Sequence, residues 1–281
     1  MRHTEGHFTG AGDLELYYQQ WSPESEPRAV VALVHGVGEH SGRYMNVVGP
    51  LVEAGYVVYG YDQRGHGVSP GRRVHIDHWS EYRQDVTAYL DLVAEQTPGR
   101  PVVVYGHSMG SLVVLDYLLQ RPKGLAGAVI SGAALQPAGV GKPGMIAAAR
   151  VLTHVLPQLA IDLGIDAESL THDPVALEAY RADPLVTGKA TVRWGTESLV
   201  AVDRIVGAMS RIDLPLLVVH GEDDKLNLVA GARALFNAVS SADKTMHIYP
   251  GVYHEPHNDF GHEKLADDVA QWLDHEFVKK A

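Results

Sequence analysis

The chain has 281 residues, enough to bury a large core and suited to one α/β domain carrying an insertion. It holds 23 Lys and Arg against 34 Asp and Glu, a formal charge of −11 that argues against a nucleic-acid partner, because phosphate binding needs clustered cations. With no cysteine, disulfide scaffolds, thiol nucleophiles and thiolate zinc sites are excluded. Residues 1–20 carry charged and polar groups where a secretory leader needs an apolar stretch, and no run of about 18 apolar residues is present to span a bilayer. The expected location is cytoplasmic, with at most peripheral contact with a membrane.

In chain order, Phe8–Trp21 reads as an antiparallel hairpin at a sheet edge, turning at Gly-Ala-Gly-Asp. Short apolar runs then recur at Val30–Val34, Val57–Tyr61, Val102–Tyr105, Ala128–Ser131, Leu216–His220 and Met246–Tyr249, and runs this apolar suit strands covered on both faces. Between the second and third, Ser80–Glu95 places Tyr82, Val86, Tyr89, Leu90 and Val93 at helical spacing, with Ser80 as the expected N-cap. The alternation predicts an α/β fold with a mostly parallel central sheet flanked by helices. From 135 to 195 the strand rhythm stops. Pro137, Gly139, Gly141, Pro143 and Gly144 crowd the entrance to an apolar helical stretch, Met145–Leu163, interrupted by Pro157. The expected organisation is a core domain of residues 1–134 and 196–281 with an inserted helical cap at 135–195. The alternative places these helices in the main core.

The short motif G-x-S-x-G occurs twice, around Ser69 and Ser108. Ser108 follows an apolar strand and precedes the apolar helical run Leu112–Leu119, the setting of a strand-turn-helix elbow that presents a nucleophile at a helix N-terminus. Pro70-Gly71-Arg72-Arg73 cannot open such a helix, so Ser69 reads as a turn serine. A serine hydroxyl needs an imidazole to take its proton, and the imidazole needs an orienting acid, in the chain order Ser, acid, His. The run Leu216–His220 ends in Gly221-Glu222-Asp223-Asp224, and Asp224 is the favoured acid, with Asp223 and Glu222 as alternatives. His254 alone occupies the loop directly after the following strand, ahead of His220, His247, His257 and His262. The N–H groups of Met109, just after the nucleophile, and of Val37, after the first parallel strand, are the candidate oxyanion donors. Gly36, Gly38 and Gly42 miss the dinucleotide spacing, and His254-Glu255-Pro256-His257 is one residue short of the H-E-x-x-H zinc motif, so neither a cofactor nor a metal is expected.

Five segments, HGVGEHSGRY (35–44), GYDQRGHGVSPG (60–71), GHSMG (106–110), HGEDD (220–224) and YPGVYHE (249–255), together resemble the monoacylglycerol lipase and lysophospholipase branch of the α/β hydrolases. The resemblance runs from about residue 8 to the C-terminus and is weakest between 135 and 195. It implies a Ser108–His254–Asp224 triad, oxyanion donors at Val37 and Met109, no cofactor, and hydrolysis of a glycerol ester bearing one acyl chain. The alternatives are a lysophospholipase, a broad carboxylesterase or, remotely, a non-catalytic binding protein on the same fold. One departure is Ser111, where the family usually has a second glycine after GHSMG. An acyl chain needs an apolar tunnel, and Met145, Ile146, Leu152, Leu156 and Leu159, with Val151, Val155 and Ile161, are the residues expected to line it or to touch a membrane surface. The other reading packs them onto the core.

Overall fold

A computed structural model of the protein describes residues 1–139 and 143–277. The hairpin strands are β1 (Arg2–Thr9) and β2 (Glu15–Ser22), and β3 (Val30–Val34) leads into α1 (Met45–Glu53) and β4 (Val57–Tyr61). Next come α2 (Ser80–Gln96), β5 (Val102–His107), α3 (Met109–Leu118) and β6 (Leu125–Ser131). Then follow α4 (Pro143–Val155), β7 (Ala160–Asp162), α5 (Pro174–Ala182), β8 (Lys189–Thr191) and α6 (Val192–Val206). The chain closes with β9 (Leu216–Gly221), α7 (Val229–Ala238), β10 (Lys244–Tyr249) and α8 (His262–Phe277). Eight strands form one sheet in the order β1-β2-β4-β3-β5-β6-β9-β10; β1 and β2 run antiparallel, and the six from β4 to β10 are parallel.

Alternation of side chains along each strand divides the core in two. Val30, Ala32, Val34, Val102, Val104, Leu216 and Val218 face a layer that includes Tyr82 and Val86 of α2, the apolar residues of α3, and Leu235 of α7. Val31, Leu33, Val103, Tyr105, Leu217 and Val219 face Val47 and Leu51 of α1 and Leu265, Val269 and Leu273 of α8. Both faces are covered, which is why the strand sequences are continuously apolar. Helix α3 is buried on every side, and its one charged residue, Asp116, is paired with Arg83 and Arg204 at 2.6 and 2.7 Å. Its start is pressed against the sheet: a Cβ on Gly110 would fall on the carbonyl oxygen of Val34 and lie 2.5 Å from that of His35.

Strand order reverses between β3 and β5, since the chain leaves β3 for β4 on one side and returns to β5 on the other. Open α/β sheets bind ligands beyond the carboxyl ends of strands at such a point. Val34 pairs in register with Gly106, so the loops carrying Val37 and Ser108 leave the sheet side by side.

Two expectations need correction. Ser80 is not an N-cap: Trp79 is already helical (φ −56°, ψ −27°), and the free N–H groups of Asp77 and His78 bond Glu81 Oε1 at 3.2 Å while that of Trp79 bonds Glu197 Oε2 at 2.9 Å. The stretch Met145–Leu163 is not one interrupted helix. Pro157 ends α4 at Val155, and the chain turns into a short antiparallel ribbon, β7 with β8, that the sequence pattern does not announce. Residue 195 lies in α6, whose Trp194, Ala201 and Ile205 join the same apolar cluster as α3. Among the described residues no helix is long and apolar enough to cross a membrane.

Gly110→Ala is expected to destabilise the fold by about 1–3 kcal/mol through overpacking against β3, read as a fall in the urea midpoint.

Candidate active site

The β5–α3 turn places Ser108 at φ +52°, ψ −121°, a conformation non-glycine residues avoid and one that costs on the order of 1–3 kcal/mol. It persists because both sides of the residue are held. Ser108 N–H donates to Ser131 O at the end of β6 (3.0 Å), and Ser108 O accepts from the N–H and the hydroxyl of Ser111 at 2.9 and 2.5 Å. Its side chain, nearly buried, projects into a cavity of about 660 Å³ at the carboxyl ends of the strands.

His254, in the loop after β10, has its Nε2 2.9 Å from Ser108 Oγ and its Nδ1 2.8 Å from Asp224 Oδ2. A carboxylate only accepts, so Nδ1 carries the proton, which leaves Nε2 with a lone pair facing the serine hydroxyl. Burial alone would push the His254 pKa down, but the charge and hydrogen bond of Asp224 outweigh it and hold the imidazole above its ordinary value. For Asp224 too, burial acts against ionisation, yet the His254 charge and hydrogen bonds from His220, His254 and the Asn227 N–H bring it well below the usual carboxylate range. Its second oxygen accepts from the N–H groups of Leu226 and Asn227 at 2.8 Å each, which fixes the carboxylate plane. Such a chain can draw the proton from a serine hydroxyl as it attacks an electrophilic carbon.

The rival residues make other contacts. Glu222 and Asp223 are exposed, and Glu222 faces Arg233. His257 is buried with its ring stacked on Tyr44 at 4.5 Å, and burial pushes its pKa down to about 4. His247 and His262 face Asp268 and Glu263. His220 is fully buried, donating from Nε2 to Asn227 O at 2.8 Å with Asp224 Oδ2 3.1 Å away. Ser69 is a bracing group: its hydroxyl donates to Asp62 O at 2.5 Å and accepts from Tyr17 N–H at 2.9 Å.

Val37 and Met109 both line the cavity beside Ser108. The loop bearing Val37 is tightly held. Gly36 N–H donates to Glu39 Oε1 at 2.6 Å, and the carbonyl of Gly38 accepts from Thr187 N–H at 2.8 Å. Gly38 has φ +71°, and a Cβ there would fall on the Thr187 carbonyl oxygen, so only glycine fits. From below, Gln63 donates its backbone N–H to His35 Nε2 at 2.9 Å and its side-chain amide to His35 O at 2.7 Å. Burial pushes the His35 pKa down to about 4, which keeps that ring a neutral acceptor.

Sequence reasoning missed a buried charge cluster in the cavity wall. Arg43 forms a two-pronged pair with Glu255 at 2.8 Å per contact and reaches Glu39 Oε2 at 2.7 Å, with its guanidinium 4.8 Å over the Tyr180 ring. Tyr44 donates to Glu39 at 2.6 Å. Burial would raise the Glu255 pKa, but the Arg43 charge brings it down to about 2. Glu39 and Arg43 stand inside the segment 35–44 and Glu255 directly follows His254. Charged residues between apolar elements were the available signal.

Of the five expected tunnel residues, Ile146 lines the cavity, with Ala149 one turn further along α4. Leu152 is half-buried and does not line it, while Leu156 and Leu159 line a separate shallow groove beside Arg72. The side chain of Met145 lies outside the described residues. Leu152 lies six residues from Ile146 on α4 and so on a different face, and α4 ends before Leu156 and Leu159. Ile161, also expected, lines the cavity too; the rest of the apolar wall is made by Leu112, Leu163, Leu199 and Val202, while Val151 and Val155 face solvent.

The family model described as Hydrolase_4, serine aminopeptidase S33, matches residues 25–260. The chain is 36% identical over 271 residues to a monoacylglycerol lipase of Mycolicibacterium smegmatis, covering 96% of each. It is 33% identical over 275 residues to the monoglyceride lipase of Homo sapiens, covering 95% of this chain and 89% of that one. The solved monoacylglycerol lipase of Paleococcus ferrophilus superposes with a TM-score of 0.84 at 32% identity, over 94% of this chain and 100% of its own. The architecture is the α/β-hydrolase fold.

A fluorophosphonate probe is expected to attach once, on the peptide containing Ser108, with labelling unchanged in Ser69→Ala. Peptide mass spectrometry reads both.

Proposed function

The chain belongs to the serine aminopeptidase S33 family of hydrolases, and from that premise we propose that it hydrolyses monoacylglycerol to glycerol and a free fatty acid. The observation that carries the chemistry is the hydrogen-bonded chain Ser108–His254–Asp224 at the floor of the cavity. Ser108 Oγ attacks the ester carbonyl as His254 Nε2 takes its proton. Asp224 holds the imidazole in the required tautomer and stabilises its positive charge. The tetrahedral oxyanion is received by the N–H groups of Val37 and Met109. His254 then returns the proton to the departing glycerol oxygen, and water, activated by the same imidazole, releases the fatty acid from Ser108.

The substrate assignment draws on the monoacylglycerol lipases among the relatives and on the lining of the cavity. Leu112, Ile146, Ile161, Leu163, Leu199 and Val202 suit an acyl chain, each CH₂ withdrawn from water contributing about 0.8 kcal/mol. Glu39, Arg43, Tyr180 and Glu255 form the polar part. Arg43 is bound there by two carboxylates, so the cluster carries a net charge of −1 and suits uncharged hydroxyls better than a phosphate. In this reading the segment 135–195 serves as a cap over the site. Val151 and Val155, 67% and 69% exposed, with Leu156 and Leu159 beside them, support peripheral contact of that cap with a lipid surface.

Ser108→Ala is expected to lower kcat for monoolein by roughly 10⁴–10⁶-fold. A variant that keeps more than a few per cent of the rate contradicts the assignment of the nucleophile. Lysophosphatidylcholine is expected to be a poorer substrate than monoolein in a side-by-side panel, and equal efficiency on both contradicts the assignment of the substrate. The pH dependence carries a sign. His254 must be neutral to accept the serine proton, and Asp224 holds its pKa up. The acid limb of kcat/KM is therefore expected to have its midpoint above about 6.5, the ordinary imidazole value, with the rate falling as pH drops through it.

A further inference from the structure

Ser111 directly follows the GHSMG segment, and the structure gives its side chain two bonds. Ser111 is fully buried in the first turn of α3. Its hydroxyl donates to the carbonyl oxygen of Ser108 at 2.5 Å and accepts from the N–H of Ala134, in the loop after β6, at 3.1 Å. The carbonyl of Ser108 also accepts from Ser111 N–H at 2.9 Å. The backbone bond alone therefore satisfies that oxygen, so the hydroxyl is not needed to pair an orphaned acceptor.

What the second bond adds is orientation. The Ser108 carbonyl and the Met109 N–H are opposite ends of one trans, planar peptide. Fixing the oxygen against the base of the elbow directs the N–H the other way. A single bond to Ser111 N–H would leave that plane able to tilt about the line between its Cα atoms, and a second donor restrains the tilt. Ala134 lines the cavity, and its N–H in turn holds the Ser111 hydroxyl in the rotamer that makes the bond.

We propose that Ser111 is a positioning residue for the oxyanion hole, its hydroxyl clamping the Ser108–Met109 peptide so that the Met109 N–H is aimed at the developing oxyanion. The proposal rests on the roles assigned above to Ser108 and Met109, but not on the identity of the acyl ester. Because the oxyanion exists only after attack, loss of the clamp acts on the transition state and leaves ground-state binding alone.

The test compares Ser111→Ala and Ser111→Gly with wild type on p-nitrophenyl butyrate, below the melting temperature of each protein. The expected result is a fall in kcat of about tenfold, a fraction of the 10²–10³ that outright loss of a donor costs, with KM within about twofold. A trifluoromethyl ketone, to which Ser108 Oγ adds to give a bound oxyanion, is expected to lose affinity by the same factor. Ser111→Cys, close in volume with a weaker donor, is expected to fall between wild type and Ala in both measurements, and it decides the matter if the smaller variants do not fold. Wild-type values of kcat and inhibitor affinity in folded Ala or Cys variants overturn the proposal. So does a loss of kcat without a matching loss of inhibitor affinity, which marks a merely structural role. A wild-type protein that takes no fluorophosphonate at Ser108 overturns the underlying reading and this proposal together.

Discussion

The backbone of Ser108 sits where an L-residue is strained, and the rest of the site is arranged around keeping it there. A sharp turn at the end of β5 lifts the hydroxyl out of the sheet, but only if α3 starts immediately and close to β3. Gly110 permits that approach. Ser131 O and Ser111 hold the two sides of the residue. Strain of this kind survives where neighbouring packing over-determines the conformation, and here the neighbours are the buried interiors of two parallel strands and a helix with no exposed face. The stability of the core is what keeps the Ser108 hydroxyl presented.

The same sheet gathers the other groups. Loops after β3, β5, β9 and β10 all leave from one edge, so residues separated by more than a hundred positions meet within hydrogen-bonding distance. Charge is then partitioned by burial. His35, His107 and His257 lie in dry surroundings that favour the neutral ring, whereas His254 faces a carboxylate that favours the charged one. Of these four, only His254 combines a raised proton affinity with access to the Ser108 hydroxyl. Glu39, Arg43 and Glu255 brace the site from the cavity side, joining the loop of Val37 to the loop of His254 through one guanidinium. Breaking such a buried pair by removing one partner typically costs about 3–5 kcal/mol, so the brace is also a folding constraint.

The sheet was readable in the sequence because a strand buried on both faces must be apolar throughout; Val30–Val34 and Val57–Tyr61 coincide with β3 and β4 to the residue. Chain order and strand ends then pointed to Ser108, Asp224 and His254, which the structure brings together. The region from 135 to 195 was harder to read. Its apolar residues serve three different surroundings, the cavity, a shallow groove and solvent, and periodicity cannot separate them once Pro157 has ended α4. Single bonds were also invisible. Ser80 looked like a cap because its type and place fit, yet Glu81 and Glu197 take the free N–H groups. Ser111 stood out only as a departure from a pattern, and its two bonds depend on a loop that lies 23 residues away.

The measurement that bears most directly on the central claim is acid quenching during turnover of an oleoyl ester, followed by intact-protein and peptide mass spectrometry. The account predicts one oleoyl group esterified to the peptide containing Ser108, absent from Ser108→Ala and accumulating in a His254→Ala variant acylated with p-nitrophenyl oleate, whose good leaving group departs without the imidazole while hydrolysis of the acyl-enzyme is slowed. Turnover with no covalent acyl group on the protein, or with the group carried by a different residue, would contradict it.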